Sequence, residues 1–347
     1  MRTVDLRSDT VTVPTPEMRE AMYQAEVGDD VYGEDPTVNR LEELAAAKLG
    51  FAAGLFVASG TMGNLVALLT HTQKGDEVLL EAESHIYYYE VGGMAALAGV
   101  QPCTIRGVRG KLTAELIKNH LRPANIHFPN PSLLCLENTH NRGGGSVTTP
   151  QEMEKIVQFA RESGLHIHVD GARIFNAAVA CGCDVKELVK GVDSVQFCLS
   201  KGLGAPMGSV LVGSREFIAK ARKWRKMVGG GFRQIGLMAA AGIVALEKMV
   251  DRLAEDHEKA QKLAAGIAEI PYLNINAEDV ETNIVVAHLK PGVMTVSEFI
   301  GRLNENGVKA NGYGAERIRF VTHKDVNNDD IDYALRVMSK LAQRVMF

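Results

Sequence analysis

Asp170 in HIHVDGAR and Lys201 in CLSKGLG are the residues whose types and placement can do chemistry. Each follows a strand-like run, at the C-terminal edge where open α/β sheets bind ligands. The interval between them holds one helical crossover, so both can reach the same edge of one sheet. A lysine amine can carry an aldehyde as a Schiff base, and a carboxylate can keep a pyridine nitrogen protonated so that the ring accepts electrons. The pair therefore suits pyridoxal phosphate. Taken singly, each has a plainer explanation: a surface lysine, and a strand-end carboxylate that caps the next helix. A serine before Lys201 and glycines after both Lys201 and Asp170 favour the cofactor.

A phosphate needs its own site, and Ser59-Gly60-Thr61-Met62-Gly63-Asn64 sits where a strand turns into a helix. Free backbone N–H groups and the helix dipole would face an anion there, with Gly60 allowing close approach and Thr61 adding a hydroxyl. The turn matches neither GxGxxG nor GxxxxGK[ST], which argues against dinucleotide and P-loop nucleotide binding. His85, in ESHIYYYE, could stack on a planar ring or be an ordinary loop histidine. Arg173 could fork onto a substrate carboxylate or pair with a surface acid. Arg319, in ERIRFVTH, is a cation in an otherwise apolar strand, so an internal acid or an incoming anion should accompany it.

His166, His168 and Asp170 alternate along one strand and leave one face, a row that could hold a hydrolytic metal with Cys181 and Cys183 recruited to it. No further ligands stand at a convincing spacing, and no metal is expected. The basic cluster Arg222, Lys223, Arg225 and Lys226 runs into three glycines, 229–231. It reads as a solvated helix face or subunit contact more readily than as an RNA site, because 38 Lys and Arg against 42 Asp and Glu leave a net charge of −4.

These groups need a scaffold, and 347 residues suffice for two packed domains. Apolar periodicity predicts helices at 37–49 and 153–160 and strands at 55–57, 77–80, 132–136, 165–169 and 193–198. Their alternation indicates a mostly parallel sheet. A long helical stretch, roughly 233–269, leads to strands at 283–288 and 316–321 and a closing helix with Ile331, Ala334, Leu335, Met338 and Leu341 on one face. Five scattered cysteines make no disulfide framework. No run is apolar for the ~20 residues a membrane span needs, and MRTVDLRSDT lacks the apolar core of a secretory signal. A cytoplasmic protein that binds neither membrane nor nucleic acid is expected.

Taken together, the blocks DLRSDTVT (5–12), VGDDVYGEDPTVN (27–39), SGTMGN (59–64), ENTHN (137–141), HVDGARIFNA (168–177), CLSKGLGAPMGS (198–209), RKMVGGGFRQ (225–234) and THKDV (322–326) resemble the low-specificity L-threonine aldolases. These belong to the aspartate aminotransferase-like, fold type I, pyridoxal phosphate enzymes. The resemblance spans nearly the whole chain and is thinner at 100–132 and 270–315. It implies an α/β fold: an N-terminal arm, 1–14, contributing to the active site, a large cofactor domain, 15–245, with a mostly parallel sheet, and a smaller α+β domain, 246–347. It implies Lys201 as the Schiff-base lysine, Asp170 on the pyridine nitrogen and His85 stacked on the ring. Gly60, Thr61 and Ser200 would bind phosphate, and Ser8, Arg173 and Arg319 the substrate carboxylate. His127, in NIHFPN, would lie near the substrate side chain. Tyr32 and Arg233 would be lent to a neighbouring subunit's cofactor in a homotetramer. The implied reaction cleaves L-allo-threonine or L-threonine to glycine and acetaldehyde through a glycine quinonoid, with His85 as the first candidate base and His127 the second. An imidazole near its ordinary pKa of about 6.5 would be mostly neutral at pH 7.

Overall fold

The computed structural model describes residues 2–343. Its centre is a seven-stranded sheet in the spatial order Ala53–Val57, Ser209–Gly213, Ser194–Cys198, His166–Asp170, Pro131–Glu137, Glu77–Glu81, Gln101–Ile105. The strand Ser209–Gly213 is antiparallel to both its neighbours, and the remaining pairs are parallel. Parallel strands need crossovers, and helices such as Pro150–Glu162 and Ile174–Cys181 supply them. Helices pack on both sheet faces, which is why Leu55, Phe56, Val57, Val210, Leu211 and Val212 run consecutively without exposure, even though Ala53–Val57 is an edge strand. Local chemistry sets the helix starts. Thr149 and Glu152 form a reciprocal capping box before Pro150–Glu162, and Ser59 caps Gly60–His71 through the Met62 amide.

The long helical stretch expected at 233–269 is two helices, Gly236–Lys248 and Leu253–Ala268. The reason lies in packing. Ala239, Ala241, Ala245 and Leu246 face the core around the large sheet, whereas Leu263, Ala264 and Ile267 belong to a second core. The turn at Asp251–Arg252 redirects the chain from one to the other. That second core lies against a four-stranded antiparallel sheet containing Arg317–Val321 and Ile284–Leu289. The helix Asn328–Gln343 closes it, with Ile331, Ala334 and Met338 buried.

The N-terminal arm is built into this second unit. Val4–Asp5 pairs in parallel with Val308–Lys309, and Val4 and Leu6 are buried in the second core. The Val321 amide donates to the Leu6 carbonyl at 2.8 Å, and the His323 ring lies 2.8 Å from the Asp5 carbonyl oxygen. These contacts fix where residues 8 and 9 emerge. No described helix is long and apolar enough to cross a membrane.

Folding splits the basic cluster, so that only part of it is the expected solvated face. Arg225 is almost fully buried, donating to Asp30 at 2.5 Å and to the Phe56 carbonyl at 2.8 Å, while Arg222 donates to Glu42 at 2.6 Å. Internal acids pair with these two cations, although the Arg222 side chain remains 37% exposed, and Lys223 and Lys226 are exposed. Gly230 packs against Arg225, where a Cβ would come within 2.6 Å of its Cγ.

Candidate active site

The ends of His166–Asp170 and Ser194–Cys198, the start of Gly60–His71, the Lys201 turn and the N-terminal arm converge on one place. Register does the first part of this work. Asp170 pairs with Gln196 and His168 with Ser194, so four polar side chains share the sheet face under the helix Gly60–His71. Gly60 seats that helix. A Cβ there would stand 3.0 Å from Cys198 Sγ and 3.3 Å from the Gln196 amide, so glycine lets the turn lie on the strand leading to Lys201 without displacing those side chains. The Met62 amide bonds Ser59 Oγ and the Gly63 amide bonds the Ser59 carbonyl, leaving those of Gly60 and Thr61 free to receive an anion. Ser200 is half-buried beside Lys201.

Asp170 is buried and fully held. Gln196 donates to Oδ1 at 2.6 Å, the Ala172 amide to the same oxygen at 3.1 Å, and Asn64 to Oδ2 at 2.8 Å. Burial alone would raise its pKa, yet His85, Lys201 and the Asn64 bond outweigh burial and keep it below the ordinary carboxylate value. The charge of Lys201 also acts on Asp9 and His85, which places all four groups around one space. Thr12 Oγ1 donates to the Lys201 carbonyl at 3.0 Å, tying the arm to the lysine turn.

His85 opens a short helix, its backbone amide on Glu137 at 2.5 Å and its Nδ1 on Glu90 Oε1 at 2.9 Å. Burial opposes a charged ring, but the Glu90 bond and the Asp170 charge win and raise its pKa. This corrects the expected near-neutral imidazole: His85 holds its proton to higher pH than a free histidine.

The carboxylate end looks different. Arg173 is buried, with Nε and Nη2 each 2.7 Å from an oxygen of Asp9. Burial works against that carboxyl's charge, but Arg173 dominates and holds Asp9 far below the usual range. The sequence reading offered Arg173 an anionic ligand or a surface acid; the acid it meets is internal, and Nη1 has no partner among the described residues. Ser8 Oγ accepts from the Thr10 amide and hydroxyl and donates only a long bond, 3.5 Å, to Asp9 Oδ1. Arg319 donates to Asn141 Oδ1 at 2.7 Å and to the Arg7 carbonyl at 3.2 Å, and lies 5.2 Å from the Tyr313 ring centre. No carboxylate pairs with it among the described residues. Its Nε and the Tyr313 hydroxyl are buried without partners. Burial first, then the like charge of Arg173, lowers its pKa.

Three expected residues lie elsewhere. His127 is exposed in the loop before Pro131–Glu137, at the N-terminal edge of the sheet, so within one chain it does not reach the substrate side chain. The cause is topological: it precedes a parallel strand, whereas the site lies at the strand ends. Tyr32 is 75% exposed, and Arg233 bonds Asp29 at 2.9 Å while its carbonyl takes the Asp30 amide. The two share one open patch and touch none of Lys201, Asp170 or His85.

The row His166–His168–Asp170 is not assembled as a ligand set. His166 is exposed, and both ring nitrogens of His168 are bonded, to Ser194 and Asn64. Cys181 and Cys183 lie at the far end of Ile174–Cys181, where burial and the neighbouring thiol push Cys181 up to about 11. His85, Glu90 and Asp170 do bring ligand atoms within 4.8 Å of one another, but the Asn64 amide stands between the two carboxylates and donates to each at 2.8 Å. Asp9, Asn64, Glu90 and Gln196 escaped the sequence reading. Ser194 and Gln196, polar at alternate positions of a buried strand, were the legible signal for two members of the network.

The residues present fit pyridoxal phosphate: free amides for the phosphate, an anionic buried carboxylate for the ring nitrogen, a half-buried lysine whose charge reaches that carboxylate, and a cradle that a Cβ at Gly60 would fill. A family model described as beta-eliminating lyase matches residues 5–290, so the chain belongs to that family of fold type I α/β proteins. The nearer relatives narrow the class. The chain is 46% identical over 340 residues to low-specificity L-threonine aldolase 1 of Arabidopsis thaliana, covering 96% of this chain and 95% of that one. It is 44% identical to the low specificity L-threonine aldolase of Escherichia coli K12, covering 94% and 96%. The chain is therefore a member of the low-specificity L-threonine aldolase family. The threonine aldolase structure from Leishmania major shares the fold at a TM-score of 0.83 and 21% identity, covering 97% of this chain and 99% of that one.

Proposed function

We propose that this protein cleaves L-allo-threonine, L-threonine and similar β-hydroxy-α-amino acids to glycine and an aldehyde, with pyridoxal phosphate held on Lys201. The observation that carries the reading is the excess of positive charge at Arg173 and Arg319. Asp9 neutralises one guanidinium, and an amino acid's carboxylate would neutralise the other. When bound, the cofactor supplies a sink for the electron pair released at the substrate's α-carbon.

The chain's own groups do the rest. Gly60, Thr61 and Ser200 would hold the phosphate, and Asp170, ionised in the fold, would keep the ring nitrogen protonated. Ser8 Oγ–H, Arg173 Nη1 and Arg319 Nε would fix the carboxylate and so set the orientation of the substrate's Cα–Cβ bond. His85, tethered by Nδ1 to Glu90, presents Nε2 to take the β-hydroxyl proton. Because its pKa is raised, the unprotonated fraction that can act as base grows above pH 6.5, and turnover should climb there. His127, Tyr32 and Arg233 reach a site only from another copy, in keeping with a homotetramer of cytoplasmic protein that shares its active sites.

Absorbance with added pyridoxal phosphate and then glycine tests this, beside aldehyde release from both threonine diastereomers. A yellow protein whose spectrum responds to glycine and reverts in Lys201→Ala is expected. A protein that stays colourless and releases no aldehyde refutes the reading.

A further inference from the structure

The strand row that resembled a metal site has a different use. Asn64 Nδ2 donates to Asp170 Oδ2 and to Glu90 Oε1, both at 2.8 Å, so its carbonyl oxygen must face the other way, toward His168 Nε2 at 3.1 Å. A carbonyl only accepts, and His168 therefore carries its proton on Nε2. Burial lowers the pKa of His168 to about 4, so the ring is neutral and Nδ1 must accept. Ser194 Oγ, 2.8 Å away, donates to it and in turn accepts from His71 Nε2 at 2.8 Å. Every proton is assigned, and all the donors point inward from His71 toward the two carboxylates.

We propose that Asn64 is a positioning residue for cofactor binding: its amide bridges the ring-nitrogen carboxylate Asp170 and the His85 tether Glu90, and His168 locks that amide in the bridging orientation. The two carboxylates would otherwise face each other in a buried space, and one would take a proton. With the bridge in place, Asp170 remains anionic and His85 keeps its angle. An asparagine serves here where a histidine or carboxylate would not. It has two donors on one atom for two acceptors, and it does not titrate.

The inference rests on the reading above, and the test separates the two. Pyridoxal phosphate is titrated by absorbance into wild type, Asn64→Leu, His168→Phe and His168→Gln, and melting temperatures are taken with and without it. Asn64→Leu should weaken cofactor binding roughly tenfold or more and shrink the melting-temperature gain that the cofactor brings. His168→Phe should do the same to a smaller degree, and His168→Gln, whose amide can still donate to Asn64, should restore most of the affinity. Wild-type affinity in both Asn64→Leu and His168→Phe overturns the proposal. If Asn64→Leu does not fold, equal affinities of the Phe and Gln variants overturn it. A wild type that binds no cofactor refutes the functional reading instead.

Discussion

The two ends of the site are finished to different degrees. Around Asp170 both carboxylate oxygens and the network behind them, from Asn64 back through His168 and Ser194 to His71, have partners supplied by the chain, and only Gln196 Oε1 is left without one among the described residues. Around Arg319 the chain stops short, with two guanidiniums, one carboxylate, an unpartnered Nε and an unpartnered Tyr313 hydroxyl. A resident cofactor needs a pocket whose charge state is settled before it arrives. A substrate that binds and leaves each turnover needs a pocket that is incomplete without it. Saturation marks the first kind of site and deficit the second.

Removing the single carboxylate at the open end should have the largest effect. Asp9→Asn leaves Arg173 buried without its partner and should cost about 3–5 kcal/mol of unfolding free energy, read by urea denaturation. A loss under about 1 kcal/mol would mean that Arg173 is solvated and that the contrast between the ends is overstated.

The saturated end should show itself through acid. His168 is neutral in the fold, with a pKa near 4 against 6.5 when exposed. Between those values the unfolded chain binds more protons, so stability rises with pH there and is lost as pH falls from 6.5 to about 4. The loss from this residue should be up to about 3 kcal/mol, levelling off at lower pH. Stability measured across that window in His168→Gln should be flatter than in wild type, and an unchanged slope would show that His168 titrates freely.

Arg319→Met should give the smallest stability change and of the opposite sign to Asp9→Asn. It removes a half-buried cation that no carboxylate neutralises among the described residues, so the protein without ligand should be unchanged or about 1 kcal/mol more stable. The KM for the amino acid should nevertheless rise roughly ten- to a hundredfold. A fall in stability with no change in KM would assign Arg319 to the fold and not to the substrate.

Much of this was legible before folding. Asp170 and Lys201 announced themselves by lying just beyond apolar strand runs, and the Ser59–Asn64 turn by its small residues. Alternation of period two and period 3.6 predicted the strands and the crossover helices. The break at Asp251–Arg252 was not legible, because no proline or glycine marks it and the two cores that require it exist only after folding. The basic cluster misled for a related reason. A charge run looks solvated until Asp30 and Glu42, nearly 200 residues away in the chain, are folded against it.

The sequence by itself determined the residue types the chemistry needs, their delivery to the ends of strands and the parallel architecture, because these follow from local periodicity and short spacing. Only the tertiary structure decided which charges are neutralised and which are left wanting. It gave Arg173 to Asp9, left Arg319 open, put the Asn64 amide between two carboxylates, and held His127 away at the opposite edge of the sheet. Those outcomes depend on long-range register and burial. The same side chain is stable or costly, protonated or not, according to what the distant parts of the chain bring against it.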